Sequence, residues 1–275
     1  SSDVCSSDLA LLEFFNWHSL FIMLLPLAII SIITGALFLE NVSVLTKPKI
    51  DYFSIVLSTI GFAGTIYGIS SINDPNANTL TIIISFIAGI IALIFFSKRQ
   101  FFLDQPMLEL RIFNKPFFTL SIVLVIITEM IQFSMNMILP MVLQNGLHTS
   151  SLTSALVLLP ATLIVCFTTP IAGDFFDRFG GKVLIPTGLF IMGIFMWLFT
   201  QIGVSTNIQS ITILYCFVCF GVSLLLSPLQ ANALNELSSE QHADGIAITS
   251  TAFQIAAAVG TTLFVGLMKI GRAHV

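Results

Sequence analysis

Charge is what this chain has least of. Only 9% of its 275 residues are Asp, Glu, Lys or Arg, whereas 56% are hydrophobic, and the mean hydropathy is +1.00. Soluble domains carry about 25% charged residues, so this composition is far from theirs. Short segments of alternating polarity are also missing, which excludes a lipid-exposed β-barrel. No P-loop, nucleophile constellation or dinucleotide motif occurs, which argues against ATP-driven transport encoded in this chain and against an enzyme. No cofactor and no nucleic-acid partner is implied. His148 and His242 fall in loops without metal-ligand company. Cysteine is scarce. Cys216 and Cys219 form a C-x-x-C on one helix face, but no His or further Cys lies nearby, and the spacing suits helix packing better than redox or metal chemistry.

Long apolar runs fill the space that charge leaves. Windows long enough to cross a bilayer recur at about 19–39, 52–71, 79–97, 117–143, 151–172, 183–202, 209–230 and 245–268. The expected fold is therefore all-α, a polytopic membrane helix bundle of about eight spans in the lipid bilayer. The basic residues orient it. Lys47, Lys49, Lys98, Arg99, Arg111, Lys115, Arg178 and Lys182 all fall on one side, in the loops 40–51, 98–116 and 173–182. The opposite loops, 72–78, 144–150 and 203–208, hold no Lys or Arg. This asymmetry places the basic loops in the cytoplasm. Loop 231–244, on the same side, has no Lys or Arg, and Lys269 falls outside.

One of these loops stands out. Gly173-Asp174-Phe175-Phe176-Asp177-Arg178-Phe179-Gly180-Gly181-Lys182 lies between two apolar runs. Gly180 and Gly181 can take the positive φ that a tight reversal needs. Asp177 can accept hydrogen bonds at a helix end or from a neighbouring arginine, and Arg178 and Lys182 would hold the turn at the cytoplasmic face. A plain basic hairpin between helices is the alternative. The pattern Gly-x-x-x-Asp-Arg-x-Gly-x-Lys, filled by Gly173, Asp177, Arg178, Gly180 and Lys182, resembles the cytoplasmic loop signature of the major facilitator superfamily. By that resemblance the loop is a conformational latch.

The resemblance extends over nearly all of 10–269, to the fourteen-span drug:proton antiporters of the EmrB/QacA type. Trp17, Phe21 and Pro26 match the opening of that family's sixth span, while His18, Ser19 and Leu24 depart from it. Asp51 with Gly61 and Gly64 resembles the first of two extra central spans. Pro106-Met107-Leu108 and Leu110-Arg111-Ile112-Phe113 resemble the loop leading into the second half, and Leu139-Pro140 with Leu143-Gln144-Asn145 the end of the ninth span. Gly245, Gln254 and Gly260 resemble the thirteenth, where Phe253, Ala256 and Ala257 replace an arginine and two glycines of the family pattern. The resemblance thus implies a bundle of major facilitator type truncated at both ends, running from about the sixth span to the thirteenth. Residues 10–50 would be the last helix of the N-terminal half with its loop, 51–97 the two extra helices, 98–116 a basic loop, and 117–269 a C-terminal half-bundle lacking its last helix. The missing N-terminal half would be its partner.

The fourth span carries Glu129 near its midpoint. A charge there costs roughly 2.5–3.5 kcal/mol on insertion scales, so the carboxyl must be protonated, paired or facing water. Gln132 and Asn136 follow at i+3 and i+7, within about 60° of it on the helix. This stripe reads as a helix facing a cavity, with Glu129 coupling to protons and Gln132 and Asn136 lining the substrate path. The alternative is a buried cluster tying helices together. Gly61, Gly64 and Gly68 form a small-residue face for close helix contact.

The two ends, 1–9 and 270–275, can be encoded by strings that are reverse complements of one another and resemble a sequencing-library adapter. They are expected to be translated adapter, and so lie outside the fold. The expected function is a secondary transporter of the bacterial plasma membrane that exports small hydrophobic or cationic drugs in exchange for protons, with the fragment inactive alone. Export of a metabolite or lipid-like solute is the alternative within transport.

Overall fold

A computed structural model describes residues 18–38, 51–71, 78–103, 106–203, 206–238 and 241–273. Trp17, Lys47, Lys49 and the stretch 1–9 lie outside them. Among the described residues there are eight α-helices and no strand: α1 His18–Phe38, α2 Tyr52–Ser70, α3 Thr79–Phe102, α4 Pro116–Gly146, α5 Ser151–Phe179, α6 Gly181–Phe199, α7 Ile208–Asn235 and α8 His242–Ala273. A short 3-10 turn, Leu110–Asn114, leads into α4. The helices α2 to α8 are each long and apolar enough to cross a membrane. The chain is an all-helical, multi-pass membrane protein, as its composition dictates, because only intrahelical bonds satisfy the backbone within lipid.

The helices outlast their apolar windows, chiefly at one end. Helix α3 continues through Lys98 and Arg99, and α5 through Asp174, Asp177 and Arg178. Helix α8 runs on through 270–273, inside the stretch read above as adapter. Prolines 26, 140, 160, 170, 186 and 228 all lie within helices. At the other end the turns lack basic residues and supply caps instead. Asn78, Ser150 and Asn207 each accept a bond from a backbone N–H of the following first turn, satisfying groups the helix itself leaves unpaired.

Packing divides the chain into two parts. The hairpin α2–α3 is one, and α4 to α8 form the other, with α7 at the centre against α4, α5 and α6, and α8 against α4. A lesser contact between α2 and α8 joins the two parts. Glycines set the closest approaches. A Cβ on Gly89 would stand 2.5 Å from the Thr65 backbone nitrogen, and one on Gly64 2.8 Å from the Ser85 carbonyl. The expected face Gly61–Gly64–Gly68 is thus the α2–α3 seam. Gly188 and Gly221 do the same for α6 and α7, and Gly260 for α8 against Met130 of α4. The core of the larger part centres on α7, where Tyr215, Val218, Val222, Leu225 and Leu229 are nearly inaccessible. Helix α1 stands apart, with its residues from Leu24 to Ile33 exposed.

Candidate functional site: a polar stripe in α4 and a polar end of the bundle

Helical spacing does put Glu129, Gln132 and Asn136 on one side of α4. That side is turned inward. Glu129 and Gln132 are only 7% and 8% exposed, whereas Leu120, Val123, Ile127 and Met137 form the open face of the same helix. Apolar side chains face lipid without cost, and polar ones do not. The Tyr215 hydroxyl, from α7, donates to Asn136 Oδ1 at 2.8 Å. Three atoms of the same helix are buried with no partner among the described residues: Thr128 Oγ1, Gln132 Oε1 and Asn136 Nδ2. Their spacing of i, i+4 and i+8 makes a narrow file along the helix. An unsatisfied buried group costs about 1–3 kcal/mol, so the file favours a polar visitor. No Lys, Arg or His among the described residues forms an ion pair with Glu129. The arrangement offers one ionisable group and several hydrogen-bonding atoms, a set suited to holding a proton or a polar solute. Among the described residues no cluster of His, Cys, Asp and Glu could hold a metal ion.

Consecutive helices bring the described parts of the expected basic loops 98–116 and 173–182 to one end of the bundle; Lys47 and Lys49 lie outside the described residues. There the loop 173–182 is almost wholly helical. Only Gly180 separates α5 from α6, at φ +73°, and its amide donates to the Phe176 carbonyl at 2.8 Å. Gly181, expected to share the positive φ, is instead the first residue of α6. Gly173 packs against Ser227 of α7, where a Cβ would lie 3.2 Å from the hydroxyl. Asp177, Arg178 and Lys182 are exposed, and neither Asp177 nor Arg178 has an ion pair among the described residues.

A second polar network closes the same end of the hairpin. Asp51 caps α2 and receives two bonds from Arg99, at 2.7 Å from Nε and 3.2 Å from Nη2. The Ser54 hydroxyl donates to Asp51, and buried Gln100 donates to Ser54. Gln100 Oε1 accepts from the amides of Met107 and Leu108, which pins the connection to α4. The Arg99 guanidinium, helped by Ser54, holds the Asp51 carboxyl well below the usual carboxylate range. In the larger part Lys115 donates to the Glu236 carbonyl and to Gln241, and Asn232 donates to Ser121.

Several of these residues carry no signal in sequence. Thr128 is one hydroxyl in an apolar run, and Gln100 sits among charged neighbours. Tyr215 could be singled out as a polar group on its span, but nothing along the chain ties it to Asn136. The hydroxyls of Thr249 and Thr251 bond their own helix, as hydroxyls inside membrane helices commonly do. Cys166, Cys216 and Cys219 are free thiols.

A family model described as Major Facilitator Superfamily matches residues 9–261. The chain is 39% identical over 263 residues to lincomycin resistance protein LmrB of Bacillus subtilis, a match covering 95% of this chain and 55% of that protein. It is 36% identical over 262 residues to the protein of that name from Listeria monocytogenes, covering 95% and 56%. To a multidrug resistance protein B homolog of Mycobacterium tuberculosis it is 23% identical over 267 residues, covering 94% and 49%. The chain therefore spans about half the length of the curated relatives it matches.

Proposed function

The chain belongs to the major facilitator superfamily, a family of transporters and not of enzymes, and on that premise we propose that it is the central and C-terminal part of a fourteen-span drug:proton antiporter. In this reading α1 closes the N-terminal half, α2 and α3 are the two extra central helices, and α4 to α8 belong to the C-terminal half. The separate α2–α3 hairpin supports that division. The transporter exports hydrophobic or cationic drugs across a bacterial plasma membrane, and lincomycin is the first candidate, since relatives bear that name. The basic end faces the cytoplasm. There the loop motif of Gly173, Asp177, Arg178, Gly180 and Lys182 latches one conformation. Transport needs both halves, so the chain alone is inactive.

The observation that carries the coupling step is Glu129, an ionisable group buried mid-helix without a cationic partner among the described residues. Glu129 takes up a proton on one side and releases it on the other as the site alternates. Gln132 and Asn136, with their unpaired atoms, contact the substrate or the water that accompanies it. Burial of the stripe and the Tyr215–Asn136 bond also favour a second reading, in which the cluster only ties α4 to α7. Glu129→Gln in the full-length protein separates the two, because glutamine keeps shape and hydrogen bonding but cannot titrate. In inside-out vesicles, lincomycin added to the wild type should dissipate an imposed pH gradient. Glu129→Gln should express normally and lose that response. Unchanged, pH-dependent transport by the variant would make Glu129 structural.

A further inference from the structure

We propose that the junction between the α2–α3 hairpin and the larger part is a binding site for an anionic phospholipid of the basic-end leaflet. Two apolar troughs meet there. One, of about 330 Å³, lies between the two parts, with Leu93 and Phe96 of α3 on one wall and Ile126 of α4 and Ile248 of α8 on the other. Val123 and Phe113, which help line it, are exposed. The other, of about 300 Å³, runs along α3 past Ile90 and Ile94 to Lys98 and Phe101. The troughs share Leu93 and Ser97. Two adjoining apolar channels with a common rim match the two acyl chains of one phospholipid. Their depth also fits. Ile90 to Lys98 is eight residues, about 12 Å along the helix, against about 15 Å for one leaflet's hydrocarbon, half of the ~30 Å core.

Charge selects the headgroup. Arg99 is neutralised by Asp51, whereas Arg111, 3.8 Å from Glu109, donates to the Phe101 carbonyl at 3.2 Å, at the polar end of the second trough. Lys115 is bonded to the Glu236 carbonyl and to Gln241, and it lines neither trough. Lys98 is left exposed at the rim, with no hydrogen bond or ion pair to a described residue. An unpaired ammonium at the polar boundary above an apolar trough, with the Arg111 guanidinium close by, is complementary to a lipid phosphate with no compensating amine. A zwitterionic headgroup brings its own cation and gains less. Such a lipid would wedge the hairpin against α4 and α8, where direct contact is slight.

The test is lipid retention by the purified protein in detergent, read by native mass spectrometry after incubation with equal amounts of phosphatidylglycerol and phosphatidylcholine of identical chains. The wild type should retain phosphatidylglycerol about fivefold better, the factor expected of one lysine at an anionic surface. Lys98→Gln with Arg111→Gln should abolish the preference, Lys98→Gln alone should weaken it, and Lys98→Arg should keep it. Val123→Trp and Ile94→Trp, at exposed positions that fill the two troughs, should each reduce retention of both lipids while leaving the thermal transition in place. Equal retention of the two lipids by the wild type overturns the proposal. So does a preference undiminished in Lys98→Gln or surviving in the double variant, or retention unaffected by either tryptophan.

Discussion

Two glycines near the α6–α7 seam should respond to alanine with opposite signs. A Cβ on Gly221 would stand 2.8 Å from the Met192 backbone nitrogen and 3.1 Å from the Gly188 carbonyl oxygen. Ordinary carbon contacts lie at about 3.5–4.0 Å. Both obstacles are backbone, so no rotamer change relieves them, and the helices must part by up to about 1 Å. Overpacking of this kind costs about 1–3 kcal/mol. Against it stands the gain of up to about 1 kcal/mol from replacing glycine inside a helix. With that gain taken in full, the net for Gly221→Ala is a loss of up to about 2 kcal/mol. Gly193, on α6, has nothing within 4 Å of its Cβ position, so Gly193→Ala keeps the gain alone. At about 2–4 °C per kcal/mol for a chain of this size, the variants should melt on either side of the wild type, several degrees apart. Cys219 supplies the probe, since it is 1% exposed on the same helix as Gly221. With Cys5, Cys166 and Cys216 replaced by alanine, a thiol-reactive dye reports the temperature at which α7 is uncovered. If Gly221→Ala melts at or above the wild type, or Gly193→Ala falls as far, backbone proximity does not set the stability of this seam.

Two further predictions concern the basic end. The carboxyl of Asp51 is depressed by Arg99, so its stabilising effect is complete above its unfolded value of about 4 and is lost as pH falls through the lower folded value. The melting difference between wild type and Asp51→Asn should therefore stay constant from pH 8 to about 5 and shrink only in stronger acid; a difference that fades near neutrality contradicts the assignment. For orientation, a single cysteine at Asn145 should label from outside intact cells, and one at Phe179, an exposed residue, only after the membrane is opened. Outside labelling at Phe179 reverses the layout.

Patterns that repeat along one helix were legible in the sequence, and pairings between helices were not. Gly61, Gly64 and Gly68 recur at helical spacing, so their face is readable, but the opposing Gly89 is one residue on another helix and leaves no pattern. Glu129, Gln132 and Asn136 declare a common side by their spacing. Which way that side turns depends on what α7 and α8 offer it, and here both packing and the Tyr215 hydroxyl draw it inward. Helix alternation puts the described basic segments 98–103, 106–116 and 173–182 at one end, yet 173–182 reads as a loop because charge and glycine mark the edge of lipid. The edge of lipid is not the edge of the helix. Backbone bonding continues into the aqueous boundary wherever no residue interrupts it, and there only Gly180 does.

That single-residue joint also has a mechanical consequence. Phe179 and Gly181 are two Cα steps apart, about 7 Å at full stretch, so α5 and α6 are coupled without slack. Gly180 permits a change of direction but almost no change of separation. With both helices also seated on α7, α5 and α6 cannot draw apart at this end, and a tilt of either is passed to the other through one glycine.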